Sequence, residues 1–272
     1  MISSVKDPAS ESAVEQSNLD KLYNMFPART LPFGILDNDW EHFQVDEADQ
    51  KIISDRLRDP FIPFLNEQIG GFEGKRVLEL GPYEGFHTHA LCKSGVKEVL
   101  AIEGNPRNFL KCLIVKNHYQ LNAARFLVGD FTAYLEKTNH KFALILASGV
   151  LYHLARPMVL LDEITTKSPA IGICTTLYDP DNPTFHVTGR TREVTFEGTE
   201  PFLLHERTNR TALTRNSKQG LEKSAWLISR EDLLRFLEYR NFEYTIFNGR
   251  KPKTGATRIR LFAKKRNQKQ AS

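Results

Sequence analysis

A chain of 272 residues, 40% hydrophobic and 26% charged, suits one α/β domain with decorations rather than two full domains, and no apolar run is long enough to span a membrane. Its three cysteines, Cys92, Cys112 and Cys174, are widely spaced in apolar surroundings, which argues against a disulfide framework or a zinc site. The net charge of +4 is concentrated, since residues 250–272 hold nine Lys or Arg and no acid while the remaining 28 bases face 33 acids, so the total does not imply a general nucleic-acid surface.

The start, M-I-S-S-V-K-D-P, lacks the apolar core of a signal peptide, so a cytoplasmic protein is expected. Residues 1–18 carry no apolar stripe and read as a mobile or loosely attached segment. Leu19 to Phe26 suits a short amphipathic helix. The prolines and glycine of residues 27–43 forbid a long helix, while Phe33, Trp40 and Phe43 ask for burial, either across the mouth of a pocket or as pins for the N-terminal extension. Between Asp46 and Ile69 the apolar spacing predicts one helix to about Arg58 and a second ending at Gly70-Gly71, so that residues 1–69 form a partly mobile helical cap.

The stretch R-V-L-E-L-G-P-Y-E-G-F-H-T, Arg76 to Thr88, reads as strand, tight turn and helix. Glycines allow close backbone approach to a ligand, and the first turn of the following helix offers N–H groups to a carboxylate or phosphate. Glu79, just before the turn, suits a ligand with a positive charge. A dinucleotide fingerprint would need glycine at Tyr83 and Phe86, which weakens that reading. Val96 to Glu103 forms a second buried strand, and Glu103, 22 residues beyond Gly81 and followed by Gly104, can accept both hydroxyls of a ribose. A helix from Asn105 or Pro106 to about His118 precedes a third strand ending near Asp130 and Phe131. Asp130 suits an adenine amino group, a helix N-cap, or both, and Phe131 suits packing on the ring.

Lys141 to Ala147 makes the fourth strand, followed by S-G-V-L-Y-H, Ser148 to His153, and Ala170 to Tyr178 makes the fifth. Residues 179–224 break the alternation and are too long for an ordinary connection, so they read as a lid or substrate wall. Their arginines, Arg190, Arg192, Arg207, Arg210 and Arg215, suit either an anionic substrate or an internally paired surface. Ser229 is a good N-cap for a helix with Glu231 and Asp232 in its first turn. Phe242 to Asn248 and Thr257 to Ala263 are strand-like and close enough to pair antiparallel. The predicted fold is Rossmann-like α/β: a seven-stranded, mostly parallel sheet with helices on both faces and an antiparallel C-terminal hairpin.

Glu79-x-Gly81-x-Tyr83-x-Gly85 resembles motif I of class I S-adenosylmethionine (SAM) methyltransferases, with Tyr83 in place of the middle glycine. The resemblance covers about residues 70–264, with 265–272 a basic tail. Within the superfamily the chain looks most like the branch containing the tRNA wobble-uridine carboxymethyltransferase, through residues 32–40, 149–153 with Arg156 and Pro157, and 226–229. It departs from that branch at Thr30, where a lysine would hold a carboxylate on the cofactor, so plain SAM is favoured.

The resemblance implies that Glu79 and the backbone of Gly81, Pro82, Tyr83 and Gly85 hold the methionine part of SAM. It places Glu103 with Gly104 at the ribose, Asp130 and Phe131 at the adenine, and Ser148 to His153 beside the sulfonium. His153 is then the candidate base and Tyr152 the residue orienting the acceptor. No metal is expected. The expected activity is methyl transfer to a small molecule, on oxygen. The alternatives are modification of a tRNA wobble uridine, using the basic C-terminal residues, and a non-catalytic SAM-binding module.

Overall fold

The computed structural model describes residues 44–46, 51–53, 59–181, 187–207, 224–247 and 257–266. The helix expected at 19–26, the aromatic segment 27–43 and the basic tail beyond 266 lie outside the described residues. The chain divides into two compact units, Met1–Ser54 and Asp55–Ser272.

In the first unit, β1 (Gln44–Asp46) pairs antiparallel with β2 (Lys51–Ile53), Val45 opposite Ile52. This corrects the helix expected through residues 46–58. Val45, Ile52 and Ile53 are β-branched and favour extended backbone, a preference that the helical spacing of the apolar residues concealed.

The second unit begins with α1 (Phe61–Gln68). Pro63 is tolerated within it because the first turn has N–H groups with no helical acceptor anyway. Arg260 clamps Asp59 through two hydrogen bonds of 2.9 Å, tying the start of α1 to the C-terminal strand. The alternation then runs β3 (Arg76–Leu80), α2 (Phe86–Lys93), β4 (Glu98–Glu103), α3 (Pro106–Tyr119), β5 (Ala124–Val128), α4 (Phe131–Lys137), β6 (Leu144–Ser148), α5 (Pro157–Lys167) and β7 (Ala170–Thr176). After β8 (Val187–Val194), β9 (Phe202–Arg207) and β10 (Ala225–Ile228) come α6 (Arg230–Tyr239), β11 (Phe242–Ile246) and β12 (Arg258–Lys265).

The main sheet has seven strands in the order β11-β12-β7-β6-β3-β4-β5. The five strands from β7 to β5 are parallel, and β12 runs antiparallel to both β7 and β11, forming the expected C-terminal hairpin. Side chains alternate across the sheet with period two, so its strands feed two apolar layers. Leu78, Leu80, Leu100, Ile102, Ile145 and Ile171 belong to one core with Leu160, Leu161 and Ile164 of α5 and Phe236 of α6. On the other side α1 comes close to the sheet at Gly172, where a Cβ would stand 2.8 Å from Leu65 Cδ1.

Within the long segment after β7, residues 187–207 form two strands that join β10 in a separate antiparallel sheet of order β10-β9-β8. Phe202 and Leu204 on β9 and Trp226 and Ile228 on β10 are buried in the main core. The segment is therefore anchored structure where it is described. Ser229 caps α6 as expected, accepting the N–H of Asp232 at 3.0 Å. No helix among the described residues is long and apolar enough to cross a membrane.

Candidate functional site

Strand order reverses between β3 and β6: the chain winds outward through β4 and β5, then returns to lay down β6 and β7 on the other side of β3. At such a switch point the connections at the carboxyl ends of the strands diverge and leave a crevice. The sequence-derived site residues lie around that edge.

The turn from β3 to α2 is left-handed three times, at Gly81 (φ +62°), Tyr83 (φ +60°) and Gly85 (φ +81°). Gly81 also has no room for a side chain, because a Cβ there would fall 2.6 Å from Val150 Cγ1 in the segment after β6. Its N–H donates to Ile102 O at 2.9 Å, and the Gly85 N–H closes the turn on Pro82 O at 2.8 Å. Tyr83 thus takes the glycine-like conformation of the position it fills, at a backbone cost of roughly 1–2 kcal/mol.

Glu103, 6% exposed at the end of β4, holds this turn from the side. Its carboxylate accepts the N–H of Tyr83 at 2.9 Å and of Asn105 at 2.8 Å. Burial nonetheless raises its pKa, against the pull of these backbone donors, the Gly104 N–H and the Asn108 side chain. Gly129 N–H donates to Glu103 O at 2.9 Å, which brings the end of β5 alongside. There Asp130 caps α4, its Oδ1 accepting from Thr132 N at 2.8 Å and Ala133 N at 3.2 Å, and Phe131, the first residue of α4, packs against the core.

Glu79 is 1% exposed and accepts a hydrogen bond from Thr88 Oγ1 on α2. Burial pushes its pKa up to about 8; the Thr88 bond opposes the rise and the nearby Glu103 carboxylate adds to it. With the folded pKa above the unfolded value, the native state keeps this proton longer. Its contribution is therefore fully present below pH 4.5 and lost as pH rises through 8. We expect Glu79→Gln to match the wild-type thermal midpoint only below pH 4.5 and to exceed it by a growing margin up to pH 8; equal midpoints across that range would remove the buried proton.

Ser148 ends β6, and Tyr152 and His153 lie in the short helical turn Leu151–His153 that follows. The smaller sheet grips this segment. Arg207 Nη1 donates to Tyr152 O at 3.0 Å with its guanidinium 5.7 Å from the Tyr152 ring centre, and Trp226 N donates to Leu154 O at 2.9 Å. Arg192 Nη1 reaches Ala155 O at 3.2 Å while its guanidinium stacks 4.1 Å over Trp226. His153 is half-buried, but its Nδ1 is shut away from water. That desolvation, together with the charges of Arg207 and Arg258, pushes its pKa down to about 3. The imidazole is neutral at physiological pH and a weak proton acceptor.

The structure thus brings together Glu79, the Gly81–Gly85 turn, Glu103 and the segment after β6, with Asp130 and Phe131 adjoining at β5. Sequence reasoning missed the supports beneath them. Lys111 and Glu84 form an ion pair of 2.9 Å with both side chains 0% exposed, and the Cys112 thiol donates to Tyr83 O at 3.3 Å. Glu84 lay within the motif, but nothing in the spacing of α3 singles out a lysine on its buried side. Arg192 and Arg207 stood among the insertion arginines, without a signal separating them from the rest. Among the described residues no cluster of His, Cys, Asp or Glu is arranged to hold a metal ion.

No family model matches the chain. Over 144 residues, 53% of its length, it is 26% identical to a tRNA U34 carboxymethyltransferase from Campylobacter hominis, of whose length the match spans 45%. Among solved structures it resembles the N-terminal domain of EvdMO1, determined in the presence of SAH and D-fucose, with TM-score 0.61 and 19% identity over 84% of this chain and 92% of that one. It also resembles a SAM-dependent methyltransferase from Clostridium acetobutylicum, with TM-score 0.53 and 13% identity over 78% and 92% of the two chains. The fold is the one found in SAM-dependent methyltransferases.

Proposed function

We propose that a chain with this fold and this sheet edge is a SAM-dependent methyltransferase. The observation that carries the reading is the convergence of a left-handed turn after β3, packed at Gly81 against Val150, with the buried Glu103 carboxylate at the tip of β4, joined by the Tyr83 N–H. The donor set fits a nucleoside that carries an amino acid and a positive charge. The first turn of α2 suits a carboxylate, Glu79 is a buried acid that a bound cation would help to ionise, and Glu103 is an acceptor for ribose hydroxyls. Asp130 and Phe131 would border the adenine. Bound there, SAM supplies an electrophilic methyl group, and the protein's task is alignment.

Ser148 to His153 would face the acceptor, with Tyr152 held in place by Arg207 and orienting it. A neutral, weakly basic His153 accepts a hydrogen bond but removes a proton only from an acidic hydroxyl. The acceptor in this reading is a small molecule methylated on an oxygen that ionises without help from His153, with the smaller sheet as one wall of its site. The second reading is RNA modification, favoured by the partial likeness to the tRNA enzyme. Neutralising Arg258, Lys264, Lys265 and Arg266 would then flatten a steep salt dependence of RNA binding.

Two measurements test the proposal. Labelled methyl from SAM, incubated with the protein and a cell extract, should enter the small-molecule fraction; label in RNA selects the second reading, and none in any fraction speaks against transfer. Glu103→Ala should weaken SAH binding by about 1–3 kcal/mol in calorimetry through the loss of a buried charged acceptor. Unchanged affinity would take Glu103 out of the site.

A further inference from the structure

Tyr83 stands in a backbone conformation, φ +60°, that glycine adopts freely and side-chain-bearing residues adopt at a cost. Such a residue keeps its conformation only where the surroundings over-determine it. Here a single turn of α3 does so. Lys111 Nζ donates to Glu84 Oε1 at 2.9 Å, holding the residue after Tyr83, and the neighbouring Cys112 thiol donates to the carbonyl of Tyr83 itself at 3.3 Å. The same ammonium lies 5.5 Å from the centre of the Tyr83 ring. From the other side Glu103 accepts the Tyr83 N–H.

An ion pair with both partners 0% exposed is a poor source of net stability, since desolvation cancels much of the attraction. It is a strict source of geometry, because drawing the two groups apart leaves each charge buried without the other. We propose that Lys111 and Glu84 are positioning residues for the cofactor turn: their pair locks Tyr83 in the left-handed conformation and so fixes the path of the turn, and the Glu103 carboxylate that accepts the Tyr83 N–H, in binding register. This rests on the reading of that turn as the SAM site. It also accounts for a tyrosine at a position whose backbone suits glycine, since the strain is held by contacts from α3.

The test is SAH affinity by calorimetry beside thermal unfolding, in Glu84→Leu/Lys111→Met with and without Tyr83→Gly. Replacing both charges by apolar groups should leave the thermal midpoint near that of the wild type, yet weaken SAH binding by about tenfold or more. Adding Tyr83→Gly should restore most of the affinity, because glycine takes the turn conformation without support. A purely structural pair would not be rescued in this way. Unchanged affinity in the double variant overturns the proposal, and so does a loss that Tyr83→Gly fails to recover. Should the double variant not fold, Lys111→Arg, which keeps the charge and alters its shape, is read by the same two criteria. Failure of the wild type to bind SAH would remove the cofactor reading itself, a result distinct from any outcome in the variants.

Discussion

Lys111→Met alone is expected to destabilise the protein by about 3–5 kcal/mol, lowering the thermal midpoint by roughly 6–20 °C. The substitution removes the ammonium 2.9 Å from Glu84, whose carboxylate is 0% exposed. The loss comes from taking the counter-charge away from a buried carboxylate. Glu84→Leu/Lys111→Met should therefore recover most of it even though it contains the damaging change, a non-additivity that thermal unfolding of the two variants reads directly. If the single and double variants melt together, the pair does not carry charge in the folded protein and its role in the turn would need another basis.

Gly81→Ala is the second large effect, at about 2–5 kcal/mol, with loss of measurable SAH binding. Two costs add. The new methyl would stand 2.6 Å from Val150 Cγ1, so the segment after β6 must shift, and φ +62° is unfavourable for alanine whatever the space. They separate experimentally. Val150→Ala in the Gly81→Ala background removes the collision and keeps the backbone strain, so it should return part of the stability. Measured against Val150→Ala alone, since Val150 is itself part of the core, a vanishing cost of Gly81→Ala would mean that the left-handed conformation carries none, and an unchanged cost would mean that Val150 is not what the methyl meets. Because Val150 leads directly into the turn that holds Tyr152 and His153, the displacement forced by a methyl at Gly81 would also reach that segment.

The N-terminal hairpin shows where sequence reading failed. Ile52 and Ile53 fit a helical apolar spacing and also favour strands, and a short segment between such signals is decided by what it pairs with; here Val45 stands opposite Ile52. The smaller sheet was hidden for a related reason. The strand Val187–Val194 is mostly exposed and lacks the alternation that marks a half-buried strand, so its pairing with β9 left no trace in its own residues. His153 was legible as a position after the fourth strand. Its weak basicity was not, because that follows from the loss of water at Nδ1 and from Arg207 and Arg258, which lie far along the chain.

By itself the sequence determined the βα alternation, the helix caps at Asp130 and Ser229, the glycine turn after β3 and the acid at the tip of β4. These are local properties, set by the period of apolar residues, by side chains that reach their own backbone and by conformations open to glycine. Tertiary structure alone decided the order of the parallel strands, that two arginines of a second sheet clamp the segment 152–155, and that a lysine of α3 meets Glu84 beneath the turn. Each of these joins residues distant in sequence, and burial and charge partners are set by such meetings rather than by any residue's own neighbours in the chain.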